Sequence, residues 1–134
     1  MLGDLFYEAK GRITSKRVLE LEPVKIESSY YVEGKMRGIE VFEIGTFTTT
    51  ATSVNGVFFV EGKDIVYVKE SDEMATVKAQ GISKIRNSSK VICGSNFYNS
   101  SNTGKLSFLN NLAGVHEAYV DTNGNLIYKV WEWK

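Results

Sequence analysis

Apolar and polar residues alternate along almost the whole chain, and this period of two is the feature that most limits what the chain can fold into. β-Branched and aromatic residues recur at every second position, and a single proline interrupts the 134 residues. A period of two is typical of a half-buried β-strand, whereas an amphipathic helix repeats about every 3.6 residues. The sequence therefore predicts an all-β protein with few helical residues.

Short turn sequences divide the alternating segments into about eight strands. Asn55-Gly56 and Asn123-Gly124 can supply the positive φ angles of tight hairpins, and further reversals are predicted at 34–38, 71–73 and 87–89. The predicted strands are 5–21, 25–34, 38–53, 57–70, 74–86, 90–98, 112–121 and 125–133. Short connections predict an antiparallel up-and-down order, and closure into a barrel would remove the long exposed edges of an open sheet. We therefore expect one barrel domain over residues 1–134.

Glycines recur inside the predicted strands and help to assign the inner face of the barrel. Interior glycine weakens a strand, so its repeated use indicates sharp coiling where a small barrel must bend. In the second strand Tyr30, Val32 and Gly34 share one face, opposite Glu33 and Lys35. The same rule predicts a mostly apolar lumen that also contains Tyr7, Ile13, Val41, Phe47, Phe58, Val60, Ile85 and Ile92.

A few polar side chains fall on the same inner face, namely Tyr30, Glu43, Asn96, Tyr98, His116 and Glu132. In the third strand the alternation leaves two choices open, because Glu40, Phe42 and Ile44 form an almost equally good inner face if a β-bulge intervenes. The charged side chains of the strands are predicted to be solvated on the outer face, including Glu33, Lys35, Arg37, Lys84, Arg86 and Lys90.

Glu43 and His116 are the candidate catalytic residues. The candidate ligand-binding residues are Tyr30, Phe58, Asn96 and Tyr98. A carboxyl group in an apolar cavity has a raised pKa and can act as a general acid or base, while Tyr and Asn can orient a carbonyl or epoxide oxygen. The alternative is that these groups satisfy one another inside a filled core.

The balanced charge of the chain and its few metal-ligating residues argue against nucleic acid and metal ions as partners. Acidic and basic residues balance at 16 each and are mixed along the chain, which argues against nucleic acid. His116 and Cys93 are the sole histidine and cysteine, so no metal site and no cofactor are predicted. The sequence has neither the apolar length of a membrane span nor a signal peptide, so we expect a soluble cytoplasmic protein.

Trp131 and Trp133 share one face of the last strand, opposite Tyr128 and Val130. If Tyr128 and Val130 point inward, both tryptophans stand outside, where large aromatic side chains often mark a subunit interface. This predicts a homo-oligomer through Trp131 and Trp133. The alternative is that they cover the barrel end or pack under the first strand.

The segment 102–114 reads NTGKLSFLNNLAG and resembles the Thr/Ser-Gly-x-Leu/Phe-x-x-Leu/Ala signature that precedes a late strand in allene oxide cyclase and dirigent barrels. It is also similar to related bacterial families of unknown function with a calycin-like barrel. The matching residues are Thr103, Gly104, Leu106 and Leu109. Those families usually place a glycine two residues further on, where this chain has Asn111, a residue that tolerates the left-handed conformation. The resemblance implies the fold and assigns no catalytic residue.

Three functions are compatible with such a barrel. The first is the binding of a small hydrophobic or amphipathic molecule in the lumen, and the second is an isomerase or cyclase that acts on such a compound through Glu43 or His116. The third is a structural or assembly role with a filled lumen. A barrel of about eight strands can hold one small ligand or be filled by its own side chains, so the fold alone does not choose.

Overall fold

The structure is a computed structural model that describes residues 1–134. Eight antiparallel strands pair in sequence order, and the last strand pairs with the first to close a barrel. The strands are β1 (Leu2–Leu21), β2 (Val24–Met36), β3 (Ile39–Ala51), β4 (Val57–Val68), β5 (Met74–Arg86), β6 (Ser89–Ser100), β7 (Ala113–Val120) and β8 (Asn125–Trp133). The all-β, up-and-down barrel predicted from the alternation is confirmed. The clearest differences in bounds are that β1 begins earlier, at residue 2, and that β2 runs on to residue 36.

The tightest turns are not the two Asn-Gly pairs. The pairs 37–38 and 87–88 have positive φ at both residues, the two-residue hairpin geometry that matches the twist of the strands. At the Asn-Gly pairs only Gly56 and Gly124 have positive φ, at 80° and 82°. These loops are longer, and in the second one the Asp121 carboxylate accepts the backbone N–H of Asn123 at 2.9 Å.

The inner face follows the alternation through most of the barrel. On β3, Val41 and Glu43 are buried at 0% and 1% exposure, whereas Ile44 is exposed and Phe42 stacks on Tyr31 outside the barrel. The pairing of β2 with β3 has no register shift, so the alternative inner face of β3 is wrong. The apolar inner side chains form one continuous core.

Two assignments from the alternation are wrong at the strand ends. Ile85 is 54% exposed, because it lies next to the 87–88 turn where β5 runs past the packed interior. Lys90 is half-buried and on the inner face rather than solvated outside, because it stands two residues before the buried Ile92 on β6.

On β8 the tryptophans do lie on the outer face, with Trp131 half-buried and Trp133 exposed. The homo-oligomer remains a prediction.

Close contact between β5 and β6 explains one pair of strand glycines. Gly81 and Gly94 stand directly opposite each other, and a Cβ atom on Gly81 would overlap the backbone carbonyl of Cys93. A residue with a side chain therefore does not fit here without moving backbone. Gly62 differs, because a Cβ atom there would lie in ordinary contact, 3.6 Å from the Cβ of Ala79.

A short 3₁₀ helix, η1 (Ser107–Asn111), closes one end of the barrel. Leu106 and Leu109 are fully buried in the core, and the ring of Phe108 packs edge-on against Phe6 at 6.2 Å. The guanidinium of Arg37 lies 4.3 Å from the centre of the Phe108 ring and covers it from outside. We call this closed side the plugged end. The alternation of apolar and polar residues did not predict η1.

No helix of the fold is long and apolar enough to cross a membrane.

The Thr-Gly-x-Leu motif has a structural explanation in the approach to η1. The Glu73 carboxylate accepts the backbone N–H groups of Lys105 at 3.0 Å and Leu106 at 2.7 Å. A Cβ atom on Gly104 would overlap that carboxylate, so the glycine leaves room for it. The motif therefore anchors the plug and carries Leu106 into the core.

We expect Gly81→Ala to destabilise the barrel strongly, because its methyl group would displace the β6 backbone, and Gly62→Ala to be tolerated. Overpacking of this kind costs about 1–3 kcal/mol or more in the free energy of unfolding. Urea denaturation of both variants tests this comparison. Equal midpoints for the two variants would contradict the explanation given for Gly81.

Candidate functional site in the barrel lumen

Two carboxyl groups are enclosed near each other inside the barrel. Asp64 on β4 stands opposite Gly45 on β3, and its carboxyl group occupies the space that a Cβ atom on Gly45 would fill. Glu43 lies two residues before Gly45 on the same face, and the exposed fractions of Glu43 and Asp64 are 1% and 5%. The missing side chain at position 45 thus makes room for the second acid.

Burial raises the pKa of Glu43 well above its usual value, and the negative charge of Asp64 raises it further. Burial also raises the pKa of Asp64, and the neighbouring Glu43 carboxyl and Tyr30 hydroxyl offset part of that rise. Because both pKa values are raised and the two groups interact, the pair as a whole holds a proton to higher pH than two isolated carboxyl groups would.

Four tyrosines surround the carboxyl pair, namely Tyr7, Tyr30, Tyr98 and Tyr128. Burial is the main cause that raises the pKa of each hydroxyl, and the charges of Glu43 and Asp64 add to it. All four therefore stay neutral at physiological pH. A neutral phenol can donate a hydrogen bond to a carboxylate or to a ligand oxygen.

Asn96 joins this tyrosine cluster to His116. Its amide nitrogen donates to the hydroxyl of Tyr98 at 3.0 Å and to the hydroxyl of Tyr128. Its amide oxygen lies 2.7 Å from Nδ1 of His116. Because that oxygen can only accept, Nδ1 carries the proton of the neutral ring, and Nε2 is left as a hydrogen-bond acceptor without a protein partner.

Burial lowers the pKa of His116 to about 4. The ring is therefore uncharged at neutral pH, where its Nε2 offers a lone pair to the lumen. His116 and the carboxyl pair are thus shifted in opposite directions by one cause, the exclusion of water from the barrel.

Three buried oxygen atoms make no well-aligned hydrogen bond: the hydroxyl of Tyr7, Oε2 of Glu43 and Oδ1 of Asp64. An unsatisfied buried polar atom costs about 1–3 kcal/mol. Glu43 lies close enough to Tyr7 and Asp64 for side-chain hydrogen bonds to shift its pKa, and these contacts offset part of that cost.

The lumen contains a cavity of about 40 Å³ next to this polar cluster. Its polar side is formed by Tyr30, Asp64, His116 and Tyr128, and its apolar side includes Phe47, Val60, Ile92 and Leu126. A second cavity of about 30 Å³ lies toward the other end of the barrel, and Phe47 and Ile92 line both. These two side chains therefore separate the cavities.

The structure brings most of the predicted site residues together. Tyr30 and His116 line the main cavity, while Glu43, Asn96 and Tyr98 are joined to it through the polar cluster. Phe58 is half-buried on the inner face and does not line the cavity.

Sequence reasoning missed Asp64, although the alternation of β4 from Val60 through Gly62 points to it. No three His, Cys, Asp or Glu side chains lie close enough together to hold a metal ion.

No protein-family model, curated protein or solved structure matches the chain. The resemblance to allene oxide cyclase and dirigent barrels therefore remains a prediction.

Nuclear magnetic resonance can test the state of His116 directly, since it is the only histidine. We expect its ring to titrate near pH 4 in the folded protein, well below the usual 6.5, because burial penalises the charged form. The ¹⁵N shifts at neutral pH should identify the Nδ1–H tautomer. The urea-unfolded chain is the control and should titrate near the usual value, and a folded midpoint at that same value would contradict the assignment.

The raised pKa of Glu43 predicts a pH-dependent stability. Unfolding releases the Glu43 proton above pH 4.5, the usual pKa of Glu, whereas the folded protein keeps it to higher pH. The free energy of unfolding should therefore fall as the pH rises above 4.5. Glu43→Gln should remove this loss, so that its stability relative to wild type is greatest at neutral pH and declines toward acid pH.

Urea denaturation over a pH series measures this difference. The control is Glu61→Gln, since Glu61 lies exposed on the outer face of β4. A Glu43→Gln curve that runs parallel to wild type would show that Glu43 is ionised in the folded protein.

Proposed function

We propose that the protein binds a small amphipathic molecule in the barrel lumen. The apolar part of the molecule contacts Phe47, Val60, Ile92 and Leu126, and its oxygen-bearing group meets Tyr30, Asp64 and His116. The supporting observation is an enclosed cavity with Tyr30, Asp64, His116 and Tyr128 on one side and apolar side chains on the other. A few convergent polar groups in an apolar cavity are the usual composition of a small-molecule site.

The size of the cavity limits the ligand or requires the lumen to adjust. At about 40 Å³ the main cavity accepts only a small group, whereas sites for drug-sized molecules occupy about 300–1,000 Å³. Phe47 is half-buried and lines both cavities, so its rotation would join them into one longer channel. We therefore favour a narrow ligand that moves Phe47 aside.

An acid–base enzyme acting on such a molecule is the second candidate. Two observations favour it: a buried carboxyl pair whose pKa values are both raised, and a neutral His116 in the cavity wall whose Nδ1 bonds Asn96 and whose Nε2 has no protein partner. Glu43 would supply a proton and His116 would accept one, as in an isomerase or cyclase. Once a ligand is known, unchanged turnover in both Glu43→Gln and His116→Ala would end this candidate.

The remaining predictions concern location and assembly. A cytoplasmic location is proposed from the sequence alone. A homo-oligomer through the outer face of β8 is supported by the exposure of Trp133, and a structural role with a filled lumen would become the better function if the lumen bound nothing.

A binding experiment with hexanol tests the proposed function. We expect hexanol to shift amide resonances of inner-face residues on β3, β4 and β7 in a ¹H–¹⁵N titration, because its chain fits the apolar wall and its hydroxyl the polar one. Ala118 lines the cavity, so Ala118→Leu should fill it and abolish these shifts. Thr76→Leu on the outer face of β5 is the matched control and should leave them unchanged.

Native mass spectrometry of the purified protein provides an independent measurement, in which a retained compound would identify the ligand class. The proposal fails if hexanol shifts no inner-face amide of wild type and the purified protein carries no compound. It also fails if Ala118→Leu, still folded, binds hexanol as well as wild type does.

A further inference from the structure

Two lysines meet at the end of the lumen opposite the plugged end. Lys16 and Lys90 line the smaller cavity together with the side chains of Ser28 and Ser83. We call these four residues the mouth site. Phe47 and Ile92 form the inner wall of this cavity and also line the main cavity, so the mouth site is the outward continuation of the lumen.

A β-bulge brings Lys16 to this position. The register of β1 with β2 shifts between Ile13 and Ser15, and Lys16 then pairs with Ser28. Unbroken alternation from Ile13 would have turned Ser15 inward and Lys16 out to solvent. The bulge thus places a basic side chain on the face that carries the buried Ser28.

Neither lysine has an acidic partner. The ion pairs of the structure involve Arg17, Arg37, Lys69 and Lys134, and none includes Lys16 or Lys90. Burial lowers the pKa of Lys90, and the positive charge of Lys16 lowers it further. Two unpaired cations held near each other at a cavity form an electrostatic site for an anion.

Two buried hydroxyl groups complete the site. Ser28 and Ser83 are 4% and 1% exposed. Both serines line the smaller cavity, where a serine hydroxyl can donate a hydrogen bond to a ligand oxygen. Hydroxyl donors beside ammonium groups are a suitable set for a carboxylate or phosphate oxygen.

We infer that the mouth site binds an anionic head group of the lumen ligand, so that the ligand carries an anion at one end of a narrow apolar chain and its oxygen-bearing group at the other. The inference rests on the proposed function, because the apolar chain occupies the lumen. It adds the charge of the ligand and its direction: the anionic head group lies between Lys16 and Lys90, and the chain passes Phe47 so that the oxygen-bearing group meets Tyr30, Asp64 and His116. Two acids at the inner end would repel an anionic group and so favour this direction.

Hexanoate and hexanol, which share a carbon chain and differ in charge, test the inference. We expect wild type to bind hexanoate about tenfold more tightly than hexanol, the advantage of one or two charge-assisted hydrogen bonds. In Lys16→Gln/Lys90→Gln this advantage should disappear while the affinity for hexanol stays the same. Lys78→Gln/Lys84→Gln on the outer face of β5 is the control, because it removes the same net charge and should keep the advantage.

The outcomes separate the two proposals. Equal affinities of wild type for hexanoate and hexanol, or an advantage of hexanoate that the mouth variant keeps, overturn the anion site while lumen binding stands. An equal loss in the mouth variant and the control variant also overturns it, since net charge alone would then explain the effect. If neither compound shifts an inner-face amide and no compound is retained on purification, the proposed function and the anion site fall together.

Discussion

Hydrogen bonding between β1 and β8 closes the sheet, and every enclosed side chain depends on that pairing for its separation from water. Without it, the inner face would be one side of an open sheet, and the shifts in the pKa values of Glu43 and His116 would lose their main cause. The closure also removes two long edges whose unpaired backbone groups would invite aggregation. The chemistry of the lumen is therefore a consequence of topology as well as of the residues that line it.

The polar cluster combines fully hydrogen-bonded groups with groups that lack a well-aligned partner. Asn96 uses both ends of its amide, toward two tyrosines on one side and His116 on the other. The carboxyl pair beside it keeps oxygen atoms without well-aligned partners. Buried groups with unmet hydrogen-bonding capacity lower stability, and the proposed function assigns that capacity to a ligand.

The alternation of apolar and polar residues predicted the barrel, the order of its strands and most of the side chains in its lumen. It could do so because successive side chains of a pleated strand point to opposite faces of the sheet. It predicted the inner-face positions of Glu43 and His116 and, continued two residues past Gly62, would have reached Asp64 as well. It failed where alternation is interrupted or ends. The bulge that turns Lys16 inward has no signal in a single sequence, and η1 gains its stability from tertiary contacts rather than from local pattern.

The plug formed by Leu106 and Leu109 fills the barrel interior at one end, so a ligand of the kind proposed would have to enter at the opposite end. Such a molecule would leave by the same route, and one longer than the lumen is wide could not turn around inside it. Its orientation would then be decided on entry, and the residues around the entrance would act on both binding and release. The residence time of the ligand would then depend chiefly on the mouth site, whereas selectivity for the shape of the ligand would depend on the depth and width of the lumen near the plugged end.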